Sequence, residues 1–230
     1  MSVLTVENLS KSFSGKKVLD NVSFTIEEGK IVGLMGKNGS GKTTVLKSIN
    51  DLLTIDSGRI TVDGEPIGTK TKQIVSYLPE RTYLDSSETV KQLLDFFSTF
   101  YSDFCRETAE KLLADLGLDV NARLCKMSKG MKEKVQLILV MSRKARLYVL
   151  DEPLGGIDPV TRDYILKTIL SNFNENASML ITTHLISDVE KILDQVIFIE
   201  DGKIILDEDA DALRMREGSS IDEVFRRLVK

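Results

Sequence analysis

The chain has 230 residues, 42% hydrophobic and 29% charged, and its net charge of −4 gives no sign of nucleic-acid binding through the overall electrostatic field. Its two cysteines, Cys105 and Cys125, lack metal-ligand spacing and fit a reducing compartment rather than a disulfide scaffold. The N-terminus lacks the apolar core of a signal peptide, and no apolar run approaches the ~20 residues that span a bilayer, so we expect a cytoplasmic chain that reaches a membrane only through a partner.

Short strands are predicted along the first part of the chain. The segments "LTVENL" and "VSFTIEEG" alternate apolar and polar residues, as half-buried strands do. "IVGLM", residues 31–35, is a continuous apolar run that predicts a buried strand of a parallel sheet. "GRITVDG", residues 58–64, predicts a further strand that ends in an Asp-Gly turn.

A glycine-rich loop follows the apolar run and opens a predicted helix. "GKNGSGKTT" fits the pattern G-x-x-x-x-G-K-[ST], and its glycines allow backbone N–H groups to converge on phosphate oxygens at a helix N-terminus. We expect Lys42 to reach the β- and γ-phosphates and the Thr43 hydroxyl to bind Mg²⁺. The predicted nucleotide-binding residues of the loop are Gly36, Lys37, Asn38, Gly39, Ser40, Gly41, Lys42, Thr43 and Thr44.

The middle of the chain changes to a helical period. Apolar residues recur at intervals of three and four in "ETVKQLLDFFSTFY", and two further helices are predicted over "AEKLLADLGL" and "MKEKVQLILVMSRK". We therefore expect one domain over 1–230, with an α/β core over 1–86 and 144–207. A helical subdomain is inserted over 87–143, and a helical tail occupies 208–230.

Strands return after the helical segment at "LYVLD", "SMLITT" and "QVIFIE", and the last is expected to pair across "DGK" with "KIILD". Strands that alternate with helices predict an α/β fold with a parallel sheet covered on both faces. Asp151 and Glu152 follow the first of these strands. Beside a phosphate loop, such a pair can hold Mg²⁺ and orient an attacking water, although a solvated strand end or a helix cap is an alternative.

His184 is the only histidine of the chain and ends the run "SMLITT". On that stretch alone, a buried core histidine is the simpler interpretation. A role in the phosphate site is the alternative, because ligands of open α/β sheets bind at the carboxyl ends of the strands.

Together these motifs resemble the nucleotide-binding domain of ABC transporters over essentially the whole chain. "GKNGSGKTT" looks like the Walker A loop and "LYVLDEP" like Walker B with the catalytic glutamate. The resemblance implies a P-loop NTPase core with an N-terminal antiparallel sheet. It also implies a catalytic set of Lys42, Glu152 and His184, with His184 as the switch histidine on the γ-phosphate, and adenine stacking on Phe13.

Further motifs of the family carry substitutions here. "MSKGMKEK" lies at the signature motif, whose usual form is Leu-Ser-Gly-Gly-Gln, and which would act on the nucleotide of a second subunit. "GGIDP" resembles the D-loop with Asp158, and "LPER" places Glu80 where the family has glutamine. The resemblance implies metal ligands at Thr43, Glu80 and Asp151. The signature residues are Ser128, Lys129, Gly130 and Met131.

The resemblance implies an ATPase that powers a membrane exporter, with ATP and Mg²⁺ as cofactors. Its partners would be a permease on a separate chain and a second ATPase subunit, identical or a close paralogue, with no nucleic acid. We expect it at the inner face of the membrane, with the aromatic-rich segment 83–104 docking the permease unless those aromatics are all core. The alternatives are an ATPase that acts on nucleic acid or ribosomes, a regulatory nucleotide sensor, and a P-loop small-molecule kinase.

Overall fold

The computed structural model describes residues 1–155, 162, 165–167, 170 and 176–229. The strands are β1 (Ser2–Phe13), β2 (Lys16–Glu27), β3 (Ile31–Met35), β4 (Ser57–Val62), β5 (Glu65–Pro66), β6 (Val75–Leu78), β7 (Leu147–Asp151), β8 (Ser178–Thr182), β9 (Gln195–Glu200) and β10 (Lys203–Asp209). The α-helices with bounds inside these residues are α1 (Lys42–Ile49), α2 (Thr69–Ile74), α3 (Val90–Phe100), α4 (Arg106–Asp115), α5 (Lys129–Met141), α6 (Ile186–Val189), α7 (Ala210–Glu217) and α8 (Ile221–Leu228).

The strands form two sheets. A four-stranded antiparallel sheet has the order β2-β1-β4-β5, and a six-stranded sheet has the order β10-β9-β3-β8-β7-β6. Within the larger sheet only β10 runs antiparallel to its neighbour. Every residue of β3, β7 and β8 is buried, because layers cover both faces. The predicted P-loop core with an N-terminal antiparallel sheet is confirmed.

The two turns predicted from Asp-Gly pairs are both present in the structure. Asp63 and Gly64 join β4 to β5 with φ angles of 52° and 79°, and Asp201 and Gly202 join β9 to β10 with φ angles of 46° and 75°. Positive φ at both central residues matches the right-handed twist of the paired strands. A Cβ atom at Gly202 would lie 2.2 Å from the carbonyl oxygen of Val18, so close packing also requires glycine there.

Three hydrophobic clusters hold the chain together. Two lie on opposite faces of the six-stranded sheet, and the third joins α3, α4 and α5. Helix α5 belongs to two of them, since Val135 and Ile138 pack in the helical cluster while Val140 and Met141 pack against the sheet. The helical segment thus has a core of its own and is anchored to the sheet through one helix.

The C-terminal segment departs from the sequence prediction in one detail. Strand β10 continues to Asp209, so the first two residues of the predicted tail lie in the sheet. In α8, Ile221 and Val224 are buried and the Phe225 ring packs edge-on at 5.3 Å from that of Phe198, whereas Leu228 is 44% exposed. Among the described residues, no helix combines the length and apolar character required to cross a bilayer.

Candidate functional site

The glycine-rich loop runs from the carboxyl end of β3 to the start of α1, as predicted. Gly41 has a φ of 110° and occupies the N-cap of α1, and Gly39 has a φ of 84°. A Cβ atom at Gly36 would lie 2.4 Å from the carbonyl oxygen of Ile199 on the neighbouring strand. A side chain is excluded by close contact at Gly36 and disfavoured by the positive φ at Gly39 and Gly41, so the loop backbone turns tightly over the end of the sheet with the helix N-terminus behind it.

Lys42 is the first residue of α1 and its side chain is directed into this loop. Its Nζ donates to the carbonyl oxygens of Gly36 at 2.7 Å and Lys37 at 3.2 Å, and the residue is 7% exposed. Burial lowers the pKa of Lys42, while the nearby carboxylates of Glu152 and Asp151 act in the opposite direction. A buried ammonium beside the loop is placed to meet an anion.

Asp151 ends β7 with one of its carboxylate oxygens unpaired. The Thr182 hydroxyl donates to Oδ1 at 2.7 Å, whereas Oδ2 is buried and has no hydrogen-bond partner among the described residues. Burial raises the pKa of Asp151, and the Thr182 and Thr43 hydroxyls oppose that rise. A buried carboxylate oxygen without a donor, beside a threonine hydroxyl, fits Mg²⁺, which is usually held by one or two carboxylates together with substrate phosphates.

Asp151→Asn should stabilise the fold while removing the stabilisation by Mg²⁺-ATP. We expect the melting temperature at pH 7 to rise by a few degrees, since ~1 kcal/mol corresponds to about 2–4 °C in a chain of this size. Because burial raises the pKa of Asp151, ionisation disfavours the folded state. The gain should therefore be absent at low pH, grow as the pH rises from the ordinary pKa of an aspartate, where the unfolded state ionises, and level off above the raised pKa of the folded state.

The control for this variant is Asp207→Asn, which removes the same charge from an exposed carboxylate outside the residues that line the pocket described below. It should keep the full increase in melting temperature when Mg²⁺-ATP is added. An equal Mg²⁺-ATP response in Asp151→Asn and the wild type, measured by scanning calorimetry, would contradict the metal assignment.

Glu152 and His184 lie in direct contact. Glu152 Oε2 accepts from the His184 backbone N–H at 3.2 Å and lies 2.9 Å from His184 Nδ1. Glu152 has a φ of 52°, a strained conformation for a residue with a side chain, and its backbone N–H donates to Thr182. The His184 side chain is 59% exposed, so the interpretation as a buried core histidine is wrong.

One open pocket of about 1170 Å³ brings most of these groups together. The Phe13 ring, 44% exposed at the end of β1, forms part of its wall, and Lys11 Nζ lies 5.4 Å from the ring centroid. The other predicted site residues that line the pocket are Asn38, Gly39, Gly41, Lys42, Thr43, Thr44, Glu80, Lys129, Asp151, Glu152 and His184. Backbone groups, a ring face and convergent charges thus surround one space that is large enough for a nucleotide.

The predicted signature residues lie at the start of α5. Ser128 is the N-cap, and its hydroxyl accepts from the Met131 backbone N–H at 3.3 Å. The Lys129 side chain is 86% exposed with Nζ 3.7 Å from Glu133, and a Cβ atom at Gly130 would meet nothing within 4 Å. These groups are available to a second molecule. The predicted D-loop residue Asp158 lies outside the described residues.

Thr182 is a site residue that sequence reasoning missed. Its hydroxyl donates to Asp151, and its Oγ1 and carbonyl oxygen accept from the Glu152 backbone N–H at 3.1 and 3.0 Å. It therefore orients both carboxylates from the neighbouring strand. The signal in the sequence was a polar residue at the end of an apolar run, two positions before His184, and the structure shows that this residue is fully buried.

Comparison with known families places these features in one context. The family described as "ABC transporter" matches residues 19–155 of the chain. That range contains the glycine-rich loop, Glu80, the start of α5 and the acidic pair, while Phe13 and His184 lie outside it.

Relatives and solved structures extend the similarity over most of the chain. It is 36% identical to the ABC transporter ATP-binding protein YtrB of Bacillus subtilis, over 92% of this chain and 74% of that protein. It is 31% identical to the SkfA peptide export ATP-binding protein SkfE of the same organism, over 90% of this chain and 89% of that protein. A solved ATP-binding subunit of an ABC transporter superposes with a TM-score of 0.90 at 28% identity, over 99% of this chain and 100% of that one.

Proposed function

The chain belongs to the ABC transporter family, and from this premise we propose that it hydrolyses ATP as the separate ATP-binding subunit of a membrane exporter. The observation that carries the proposal is the shared pocket, in which Lys42, Asp151, Glu152 and His184 converge beside the Phe13 ring. The relative named for peptide export supports the direction of transport. A regulatory sensor would not need a carboxylate held by the histidine next to the loop.

The residues divide the chemistry among themselves. The adenine stacks on Phe13, the loop N–H groups bind the phosphates, and Lys42 moves from the loop carbonyls to the β- and γ-phosphates. Thr43 and Asp151, with Glu80 at the pocket wall, would hold Mg²⁺, which when bound neutralises charge on the phosphate oxygens. The loop N–H groups, the N-terminal end of α1 and Lys42 stabilise the negative charge that develops on the transferred phosphoryl group.

Glu152 is the proposed general base. It accepts a proton from water as the water oxygen forms a bond to the γ-phosphorus, and the bond to the bridging oxygen of ADP breaks. The His184 backbone N–H and ring Nδ1 hold one oxygen of Glu152, which orients the carboxylate. The ring's Nε2 is then left to face the γ-phosphate, and a hydrogen bond to a phosphate oxygen requires Nε2 to carry a proton as well as Nδ1. The products are ADP and inorganic phosphate.

A second subunit completes the site in this proposal. Ser128, which is exposed, and Gly130, whose Cβ side is open, lie at the start of α5 and would bind the γ-phosphate held by the partner; the two subunits would be identical or close paralogues. Lys129 adds positive charge at the same helix end. ATP phosphates supply the negative charge that both half-sites require, so binding favours the closed dimer and hydrolysis releases it.

A groove of about 770 Å³ is the proposed docking site for the membrane subunit, which would hold this chain at the cytoplasmic face. Tyr77, Tyr83 and Tyr101 give it an aromatic wall, and Lys47 and Arg81 add positive charge. These features suit a short segment of the permease that carries both apolar and acidic side chains. The groove shares four wall residues with the nucleotide pocket, namely Thr43, Glu80, Arg81 and Asp151.

Tyr83→Ser should weaken assembly with the membrane protein encoded beside this chain, because Tyr83 is 56% exposed on the groove wall. We expect the variant to keep its melting temperature within about 2 °C, as is usual for exposed positions. Co-purification from detergent-solubilised membranes should fall several-fold. The control is Ile205→Ser, an apolar residue 44% exposed on β10, at the opposite edge of the sheet from β6.

Equal recovery of the membrane protein with Tyr83→Ser and Ile205→Ser would contradict docking in the groove. A neighbouring gene that encodes a nuclease or a ribosome factor, with no membrane protein recovered, would favour the nucleic-acid alternative over export.

A further inference from the structure

Arg143, just after α5, is a buried arginine that contacts both parts of the chain. The residue is 4% exposed. Its Nε and Nη2 donate to the two carboxylate oxygens of Asp103, each at 3.0 Å, in a bidentate pair. Its Nη1 and Nη2 also donate to the backbone carbonyls of Val75 at 2.6 Å and Gln73 at 2.5 Å. One guanidinium thus joins the loop between α3 and α4 to the start of β6.

The helical side of this contact is reinforced in two ways. The guanidinium lies 3.9 Å from the centroid of the Tyr101 ring, which in turn lies 5.3 Å from that of Phe97 in the helical cluster. The backbone N–H groups of Cys105 and Lys144 donate to the carbonyls of Ser142 and Asp103 at 2.7 and 2.9 Å. The α3–α4 loop is therefore tied to the end of α5 at Arg143.

The sheet side leads to the nucleotide pocket. Strand β6 starts at Val75, whose backbone carbonyl accepts a hydrogen bond from Arg143. The strand ends at Leu78, two residues before Glu80. Glu80 lines both the nucleotide pocket and the groove, and Arg143 and Tyr101 line the groove as well. A shift of the helical subdomain relative to β6 would therefore move Glu80, because only the four residues of β6 and one proline separate Glu80 from the contact with Arg143.

We propose that Arg143 is a positioning residue that fixes the helical subdomain against β6 and thereby sets the place of Glu80 in the nucleotide pocket. Its relevance to turnover rests on the proposed ATPase function. Stability alone does not explain the arrangement, because a buried ion pair is often no more stabilising than apolar residues of similar volume. The planar guanidinium instead fixes the relative orientation of the segments that it joins, because its donors can bind one carboxylate and two carbonyls in only one arrangement.

The test uses Arg143→Met, which keeps the unbranched stem of the side chain and removes every donor. Turnover of the isolated chain should fall about 10-fold or more in kcat, with KM for ATP within about 2-fold, because misplacement of a site residue acts on the reacting geometry rather than on ground-state binding. The matched control is Arg146→Met. Arg146 also bridges distant segments, through Glu28 and Asp63, but it lies at the opposite end of β7 from the nucleotide pocket.

A distance measurement provides a second readout that does not depend on turnover. Spin labels on Cys125, in the helical subdomain, and on Lys70→Cys, in the core, can be introduced with Cys105→Ser. The labelled protein that retains Arg143 should give one narrow distance distribution. Arg143→Met should broaden or shift that distribution, whereas Arg146→Met should leave it unchanged. If turnover is absent from every protein, the ATPase proposal fails while the distance distributions still decide the role of Arg143.

Asp103→Asn covers the case in which Arg143→Met does not fold, because it keeps the side-chain shape and one acceptor oxygen. It should lower kcat to an intermediate value and broaden the same distribution. The proposal is overturned if Arg143→Met folds and keeps both the wild-type kcat and the narrow distance distribution. If Arg143→Met does not fold, the same result with Asp103→Asn overturns it. It is also overturned if Arg146→Met loses kcat to the same extent.

Discussion

Lys42→Ala should weaken ATP binding by about 100-fold or more, because it removes two charge-assisted contacts worth ~1.5–3 kcal/mol each. The structure gives a geometric reason for the size of the effect. Nζ lies inside the loop at 2.7 Å from the Gly36 carbonyl oxygen, and the residue is 7% exposed, so alanine removes the buried ammonium group of this loop. The measurement is a calorimetric titration with ATP.

The control for Lys42→Ala is Lys37→Ala, an exposed lysine on the same loop. Its backbone carbonyl, which accepts from Lys42, is retained in the variant. We expect affinity within a few-fold of the wild type, since an exposed charge near a phosphate site contributes little. Unchanged ATP affinity in Lys42→Ala, in a protein that keeps its circular dichroism spectrum, would exclude the glycine-rich loop as the phosphate site.

Glu152→Gln should reduce ATP hydrolysis by about 10²–10⁴-fold while leaving ATP bound, because general-base catalysis typically contributes that much. Glutamine keeps the length of the side chain but cannot accept the proton from water. Removing one negative charge next to the γ-phosphate also favours the ATP-bound dimer. We therefore expect a shift from monomer to dimer on addition of ATP, measured by size-exclusion chromatography with light scattering.

His184→Ala provides the comparison. It should also lose most turnover, but its ATP-bound dimer should be weaker than that of Glu152→Gln, since the contact to the γ-phosphate is lost. Glu110→Gln, on α4 and outside the residues that line the pocket, is the matched control for removal of a carboxylate charge and should behave as the wild type. Normal turnover in His184→Ala, measured in the assembled complex, would remove the histidine from the mechanism.

The sequence was sufficient to predict the parts of the site that depend on local chain geometry. A loop with Gly39 and Gly41 at positive φ between a buried strand and a helix has few other uses, so Lys42 and Thr43 could be placed from the pattern alone. Asp151 and His184 could be placed because parallel strands end at one edge of a sheet. Paired strands β7 and β8 bring them together.

Contacts between distant segments could not be predicted in this way. Arg143 binds carbonyls about 70 positions away in the chain, and nothing in a helical period indicates which backbone it will meet. Thr182 is similar, because its two partners lie at the end of the neighbouring strand, Asp151 as its last residue and Glu152 just after it. Sequence periodicity predicts that a side chain is buried, whereas the residues that it contacts depend on how the helices and strands pack together.

The aromatic segment illustrates the same limit. The sequence left open whether its aromatics form core or surface, and the structure divides them. Phe97 is buried and Phe104 packs partly buried against it, whereas Phe96 and Phe100 are 50% and 67% exposed. Tyr101 is partly buried beneath Arg143, so its replacement would disturb the fold as well as the groove.

The shared wall between the nucleotide pocket and the groove has a thermodynamic consequence. Thr43, Glu80, Arg81 and Asp151 line both spaces, so binding in the proposed docking groove would be coupled to binding in the nucleotide pocket through the same side chains. Reciprocity then requires that a permease segment change the affinity for ATP by the factor by which ATP changes the affinity for the segment. A transported substrate that alters the fit of the segment in the groove would in this way alter how long ATP stays bound.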